Sequence, residues 1–228
     1  MEDLKSMSIE EMENLCRDIR SEIIEVVCKN GGHLGPNLGV VELSVALHYV
    51  YNSPEDKIVW DVGHQSYVHK MLTGRRDKFH TIRKRGGLGP FTDPGESVHD
   101  QFISGHAGNA LSVSAGLAAA NPEKNVTAVI GDASFANGTT LEALNDINGK
   151  LKNLTIIIND NEMSIGENVG AISGILNKVI NSSFYLKLRK DLRYVLSRYN
   201  LTKPIVKPTE RVEQSLRSIV TPGGFFNI

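Results

Sequence analysis

The sequence predicts an α/β fold in which helices flank a parallel sheet. Three short apolar runs typical of strands, "DKIVWD", "NVTAVIGD" and "NLTIIIND", alternate with helical stretches along the chain. Hydrophobic residues make up 40% and charged residues 22%, as in ordinary globular domains. In open parallel sheets, ligands bind at the carboxyl ends of the strands. The predicted fold therefore places any functional site at that edge.

The elements before the first strand have clear local signals. Ser8 is the predicted N-cap of a helix, and Glu11 completes a capping box. This helix is predicted to end near Asn30, before Gly31 and Gly32. We interpret "GGHLGPNLG" as a glycine-rich loop and "VVELSVALHYVY" as a mostly buried helix.

The remaining elements follow in order. "VGHQSYVHKMLTG" is predicted to be a loop leading into a helix, and residues 81–104 a long irregular loop, which in compact domains is usually functional or mobile. "ALSVSAGLAAAN" and "TTLEALNDING" are predicted helices. The strands "NVTAVIGD" and "NLTIIIND" are predicted to be buried, because near-continuous apolar runs are typical of strands covered on both faces.

The segment from 171 to 228 is predicted to be a helical extension, with a linker-like break at "LTKPIVKP". We interpret its basic residues as a solvated helix face. RNA binding is the weaker alternative, since no nucleic-acid motif is present. The formal net charge is −1 and the pI about 6.7, which gives no electrostatic reason to expect nucleic-acid or membrane partners.

Other sequence features bear on the compartment. Cys16 and Cys28 have the spacing of neither a zinc site nor a redox pair, so a reducing, cytoplasmic setting is predicted. The first residues contain no apolar signal core. No stretch is long and apolar enough to span a bilayer.

Polar residues follow each predicted strand. Asp61, Asp132 and the segment 159–161 all lie at carboxyl ends. Asp132 and Asn161 are one helical crossover apart, and a carboxylate with an amide oxygen suits Mg²⁺, which completes its octahedron with phosphate and water. The loop "ASFANG" after Asp132 leads into a helix, where backbone N–H groups could hold a phosphate. The alternative is that these residues form only turns.

Three of the seven histidines have glycine neighbours, which favours loops that face a cleft. They are His33 in "GGHLG", His64 in "VGHQ" and His106 in "SGHAG". Together they suggest an active-site cleft with groups able to transfer protons near neutral pH. For any one of them alone, a structural role is the alternative. We interpret the remaining four as ordinary surface or packing residues: His48, His69, His80 and His99.

Longer motifs carry a family resemblance. "GGHLGPNLGVVELSVALHYVY", "KIVWDVGHQSYVHKMLTGRRDKFHTIR" and "INDNEMSIGENVGAIS" closely resemble the 1-deoxy-D-xylulose-5-phosphate synthases, which are thiamine-diphosphate enzymes of the transketolase class. The resemblance runs from about residue 10 to the end and is most specific between residues 31 and 173. It implies a diphosphate-binding fold of the PP type.

The resemblance implies a transferase activity. The family condenses pyruvate with glyceraldehyde 3-phosphate and releases CO₂, using thiamine diphosphate and Mg²⁺. Its product serves isoprenoid, thiamine and pyridoxal biosynthesis, and a cytoplasmic location is expected.

The resemblance also assigns roles to individual residues. Asp132, Asn161 and the backbone carbonyl of Met163 correspond to metal ligands, and His33 to a histidine near the reacting carbon. The other implied cofactor contacts are His64, Gly105, His106, Ala107, Ala133, Ser134 and Asn161.

Two motifs depart from the family pattern. The family reads GDG where this chain has "GDA", so Ala133 is expected to loosen or reshape the diphosphate contact. The family's "GHSSTS" is here "GHAGNA", which removes hydroxyl groups near the cofactor. Both departures favour an alternative, a degenerate paralogue that acts as a non-catalytic cofactor-binding or interaction module.

Family chains are well over twice as long. By resemblance, residues 1–228 correspond to a single diphosphate-binding domain, incomplete at its carboxyl end, without the pyrimidine-binding and C-terminal domains. The glutamate that activates the thiamine ring belongs to the absent part. We therefore expect half an active site, an exposed apolar surface, and a homo-oligomer or a partner chain carrying the other domains.

Overall fold

The computed structural model describes residues 2–147 and 151–159, all within one compact unit that spans residues 1–159. Three parallel strands pair in the order β1 (Lys57–Trp60), β2 (Val126–Gly131) and β3 (Leu154–Asn159). Trp60 pairs with Val129, and Gly131 pairs with Asn159. The predicted α/β fold is therefore confirmed. The helical extension and linker predicted after residue 170 lie outside the described residues.

The helices of the described ranges precede, connect and follow these strands. They are α1 (Glu2–Ser6), α2 (Ile9–Asn30), α3 (Leu34–Leu38), α4 (Val41–Val50), α5 (Tyr67–Lys70), α6 (Ala110–Ala120), α7 (Asp132–Phe135) and α8 (Gly138–Ile147). A π-helical turn, Met71–Arg75, and a 3-10 helix, Arg76–Thr81, follow α5. The chain kinks at Thr73 and Gly74, where Gly74 has a φ of +83°.

Helix α2 begins and ends as predicted. The Glu11 amide donates to the Ser8 hydroxyl at 3.3 Å, and the Ser8 amide donates to the Glu11 carboxylate at 2.7 Å. This reciprocal pair satisfies amides that would otherwise lack intrahelical partners. At the other end, Gly31 has a φ of +75° and its amide donates to the Val27 carbonyl at 2.8 Å. Local sequence is therefore enough to define this helix.

The glycine-rich segment 31–39 is not loop throughout, so that prediction is partly wrong. Helix α3 occupies Leu34–Leu38. Pro36 is tolerated because it lies in the first turn, where amides have no intrahelical acceptor. The loop interpretation holds for the residues on either side of α3.

The sheet is covered on both faces. On one face Val59, Ala128 and Ile130 pack with Leu111 of α6 and Ala143 of α8. On the other face, apolar side chains of α4 and the strands form a second cluster: Leu47, Ile58, Trp60 and Val129. Every residue of β2 from 126 to 130 is buried, as predicted. A sheet with helices on both sides leaves its carboxyl edge as the open region.

Strand β3 is less buried than predicted. None of its six residues is fully buried, and Ile158 is 38% exposed. Within the described residues β3 pairs only with β2, so its side chains lack neighbours from a further strand. The apolar run indicated a strand correctly but not its position at the edge of this sheet.

The long irregular segment is confirmed, because no helix or strand lies between Thr81 and Ala110. Several of its residues nevertheless make specific buried contacts, described below. Among the helices of the described ranges, none combines the length and the apolar character needed to cross a membrane.

Candidate functional site

The carboxyl edge of the sheet collects the predicted polar residues. Asp61 follows β1, and its amide continues the ladder by donating to the Val129 carbonyl at 2.9 Å. Asp132 directly follows β2 and leaves the sheet beside Asn159, the last residue of β3. Neighbouring parallel strands therefore bring Asp132 and the end of β3 together, as the magnesium hypothesis requires.

Asp61 has a structural role at this edge. Its carboxylate is buried and accepts hydrogen bonds from the Gly108 amide at 3.0 Å and the Ala110 amide at 3.1 Å. These bonds hold the end of the "GHAGNA" loop and the start of α6 against β1. Asp61 is thus committed to backbone amides, whereas a metal ligand needs oxygen lone pairs directed at the ion.

Asp132, Ala133 and Ser134 form the first turn of α7. Asp132 is 6% exposed, Ala133 is exposed and Ser134 is buried. The Ser134 carbonyl accepts a hydrogen bond from the Thr140 hydroxyl at 2.8 Å, which joins this turn to α8. Asn161 and Met163, the other predicted metal ligands, lie outside the described residues. Within those residues, no three His, Cys, Asp or Glu side chains are grouped as a metal centre.

His33 and His64 come together, although 31–39 and the loop after β1 are separate segments of the chain. Their ring centroids are 5.6 Å apart, with an interplanar angle of 81°. The Nδ1 atoms of both rings are buried and have no hydrogen-bond partner within the described part of the chain. Buried polar atoms are nearly always satisfied, so this pair is suited to receive a polar ligand.

The two imidazoles are held in their neutral form. Burial lowers the pKa of His33, and the positive charge of Arg83 lowers it further. Burial also lowers the pKa of His64, with a contribution from His33, while Asp61 opposes the shift. Neutral imidazoles can either donate or accept a proton near neutral pH, according to the tautomer.

Asn37 joins the two histidine loops and is fully buried. Its side-chain amide donates to the carbonyl oxygens of His33 and His64, both at 2.7 Å. Its carbonyl oxygen accepts from the Tyr67 amide at 2.9 Å. All of the polar capacity of this side chain therefore fixes the backbone on which the histidines are mounted. Sequence reasoning did not single out Asn37.

Replacing Asn37 with alanine is expected to disturb the histidine pair as well as the fold. Three hydrogen bonds are lost, which should lower the free energy of unfolding by about 2–3 kcal/mol. Looser packing should let water reach both rings, so the pKa values of His33 and His64 should rise. Urea unfolding and an NMR titration of the imidazoles measure the two effects.

Asn153 offers a matched control for this substitution. Its side-chain amide lies within hydrogen-bonding distance of three carbonyls, at 2.9 to 3.1 Å, before the start of β3. Asn153→Ala should reduce stability without changing either histidine pKa. A loss of stability in Asn37→Ala with unshifted histidines would contradict the role of Asn37.

The third predicted histidine lies on a more open loop. His106 and Ala107 are exposed, and Gly105 has a φ of +128° that favours glycine. Gly108 lies so close to Asn137 that an added Cβ would come 2.7 Å from its side chain. The "GHAGNA" loop is therefore packed against the loop that follows Asp132.

A group of buried charges was missed by the sequence interpretation. We call it the buried charge cluster, and its members are Lys70, Arg75, Glu96 and Asp100. Arg75 donates to both oxygens of Asp100, each at 2.8 Å, and to Glu96 at 2.8 Å. Lys70 also pairs with Glu96. Two cations and two anions thus balance in a cluster of which only Glu96, with an 18% exposed side chain, has appreciable access to water.

His48 and His69 extend this cluster, and both are fully buried, which agrees with their interpretation as packing residues. His69 Nε2 lies 3.0 Å from the Asp100 carboxylate, and its Nδ1 lies 3.0 Å from His48 Nε2. A carboxylate only accepts, so His69 donates from Nε2 and His48 donates to His69. Burial lowers the pKa of His48 to about 3. Nothing in the sequence pattern predicts this series of hydrogen bonds, because the three residues that form it are far apart in the sequence.

The other two histidines fit their interpretation. His80 is exposed, and His99 is half-buried with its Nδ1 2.9 Å from the Ser53 hydroxyl.

Comparison with known proteins identifies the family of this chain. A model of the family described as 1-deoxy-D-xylulose-5-phosphate synthase matches residues 1–228. The chain belongs to this family. Its match is to the amino-terminal domain of the synthases.

Curated relatives show the extent of the similarity. The synthase of Fusobacterium nucleatum is 53% identical over 93% of this chain, which covers 36% of that protein. The synthase of Caldanaerobacter subterraneus is 47% identical over 98% of the chain, and synthase 2 of Geobacter sulfurreducens is 48% identical over 98% of the chain. The chain covers 37% of the length of each of these two proteins. The chain therefore spans little more than a third of the length of these relatives.

Proposed function

We propose that this chain supplies the diphosphate-binding half of a thiamine-diphosphate site in a 1-deoxy-D-xylulose-5-phosphate synthase. The reaction would be the condensation of pyruvate with glyceraldehyde 3-phosphate, with loss of CO₂. The single observation that carries the proposal is the His33–His64 pair at the carboxyl side of the sheet, whose buried Nδ1 atoms have no hydrogen-bond partner among the described residues. The family match over residues 1–228 supports it.

The residues present fit the cofactor. Asp132 lies at the end of β2, where a carboxylate can bind Mg²⁺, and we assign Asn161 and the Met163 carbonyl to the same ion. We assign Ala133 and Ser134 to the diphosphate, with Gly105, His106 and Ala107 on the facing loop. Thiamine diphosphate, when bound, stabilises the negative charge left when a 2-oxo acid loses CO₂.

The chain's own groups would orient the cofactor and the substrate and would exclude water from the site. His64 is fixed through its backbone by Asn37 and would contact the cofactor. His33 is held neutral by burial and by Arg83, so it could donate or accept a proton near the reacting carbon of the substrate. The remaining groups of the site would come from the pyrimidine-binding region, either in a partner chain or in another copy of the protein.

We place the protein in a reducing compartment such as the cytoplasm, since both cysteines are free thiols.

The second candidate function is a non-catalytic cofactor-binding or interaction module. Ala133 favours it, because its exposed methyl group replaces the glycine that permits the closest approach to phosphate. The hydroxyl-free "GHAGNA" loop favours it as well.

Calorimetry tests the proposal directly. Thiamine diphosphate should bind the chain in the presence of Mg²⁺ and bind much more weakly when EDTA removes the metal. Adding a chain that carries the pyrimidine-binding domain should then restore CO₂ release from pyruvate. Metal-dependent binding without CO₂ release would favour the non-catalytic module. No binding in any condition would refute the diphosphate-binding proposal and favour a degenerate interaction module.

A further inference from the structure

Phe91 lies where the three predicted histidine loops meet. Its ring centroid is 5.8 Å from that of His33, at an interplanar angle of 41°. A Cβ placed on Gly63, just before the second histidine, would lie 3.4 Å from Phe91 Cβ. A Cβ placed on Gly105, just before the third, would lie 3.7 Å from the Phe91 ring. One aromatic side chain therefore lies beside all three loops.

The two glycines are suited to this contact. Gly63 has a φ of +79° and Gly105 a φ of +128°, in the region where other residues are strained. A side chain at Gly63 would also come within 3.1 Å of the Thr92 amide. At Gly105 an added Cβ would make only an ordinary van der Waals contact with the Phe91 ring, so the positive φ is what requires glycine there.

Phe91 is not an ordinary core residue. It is half-buried, and it belongs to none of the three apolar clusters formed by the described residues. Large aromatic side chains usually contribute to a core, where burial of their area stabilises the fold. The contacts of Phe91 are instead concentrated on the candidate site.

The buried charge cluster holds Phe91 from both sides. Two residues before it, the Gly89 amide donates to the Glu96 carboxylate at 2.8 Å. Two residues after it, the Asp93 amide donates to the Asp100 carboxylate at 2.9 Å. An irregular segment is thus fixed by charge-assisted hydrogen bonds, which are stronger than those between neutral groups.

We propose that Phe91 is a positioning residue of the cofactor site, whose side chain sets the spacing of the three histidine loops and is itself fixed by the buried charge cluster. The ligand in this inference, thiamine diphosphate, rests on the proposed function. The positioning of His33 by Phe91 does not depend on that function. The ring also shields His33 from water, together with the other groups around that imidazole, Tyr67 and His64.

The test compares Phe91→Ala with Tyr51→Ala. Tyr51 is also half-buried, but it packs in the cluster of Leu47 and Trp60 on the sheet. In Phe91→Ala, water should reach His33 and raise its pKa toward the ordinary value, with Arg83 still opposing the rise. Thiamine diphosphate with Mg²⁺ should bind about tenfold more weakly, because a small misplacement of contacting groups has a large cost. Tyr51→Ala should lower the Tm without either effect.

The outcomes separate the inference from the proposed function. The inference is overturned if an NMR titration finds the same His33 pKa in Phe91→Ala as in the unsubstituted protein. It is also overturned if Tyr51→Ala raises the His33 pKa as much as Phe91→Ala does. If Phe91→Ala fails to fold, Phe91→Leu replaces it and should give a smaller rise in the same direction. If the unsubstituted protein binds no thiamine diphosphate, the proposed function fails, and the His33 titration still decides whether Phe91 positions that ring.

Discussion

Replacing Asp100 with alanine is expected to destabilise the protein severely, by about 3–5 kcal/mol in the free energy of unfolding. The carboxylate is fully buried and pairs with Arg75 and His69. Burial alone would raise the pKa of Asp100, but the hydrogen bonds from these two residues lower it far below its ordinary value. Removing it leaves the Arg75 guanidinium in a nonpolar region with one anion, Glu96, instead of two. Equilibrium unfolding in urea measures the loss.

Two variants show that the effect comes from burial. Glu55 forms an exposed ion pair with Lys124 at 2.7 Å, so Glu55→Ala should leave the free energy of unfolding nearly unchanged. Asp100→Asn keeps the shape of the side chain and one acceptor oxygen but loses the charge. Its loss in the free energy of unfolding should lie between those of Asp100→Ala and Glu55→Ala. Similar unfolding curves for Asp100→Ala and Glu55→Ala would show that the cluster contributes little to stability.

Replacing Asp132 with alanine is expected to abolish the Mg²⁺ dependence of thiamine-diphosphate binding while leaving the fold largely intact. The side chain lies at the end of β2, where it is 6% exposed, and alanine can occupy the first turn of α7 without strain. Without the carboxylate, the proposed metal site loses the one charged group among its three assigned ligands. Calorimetry with and without Mg²⁺ measures the change, and circular dichroism monitors the fold.

Asp77 provides the control for this substitution, because it is an exposed carboxylate in the 3-10 helix after α5. Asp77→Ala should bind the cofactor as the unsubstituted protein does. Asp132→Asn keeps one oxygen and should retain part of the metal dependence. Unchanged metal-dependent affinity in Asp132→Ala would refute the assignment of Asp132 as a ligand.

Much of the fold could be predicted because the signals are local. The capping box at Ser8 and Glu11 defines the start of α2, and Gly31 follows its end. The alternation of apolar strands with helices was enough to predict a parallel sheet with Asp61 and Asp132 at its carboxyl edge. The exceptions were α3 inside the glycine-rich segment and the position of β3 at the edge of the described sheet.

The candidate site was predicted less completely. Glycine neighbours identified His33, His64 and His106 as loop residues, and the structure brings the first two together. Asn37 and Phe91, which hold these loops, have no such signal. Their roles depend on which backbone atoms and rings lie beside them, and those neighbours belong to distant segments of the chain.

The sequence by itself determined most of the elements and the edge of the sheet where polar side chains collect, because these follow from residue types and spacing along one stretch of chain. The family was indicated by the resemblance of its long motifs. Only the tertiary structure decided that Asp61 binds backbone amides, that four charges balance in one largely buried cluster, and that one aromatic side chain lies beside three loops. Such contacts depend on distance in space, and the physical reason is that burial and pairing change the properties of a side chain more than its neighbours in sequence do.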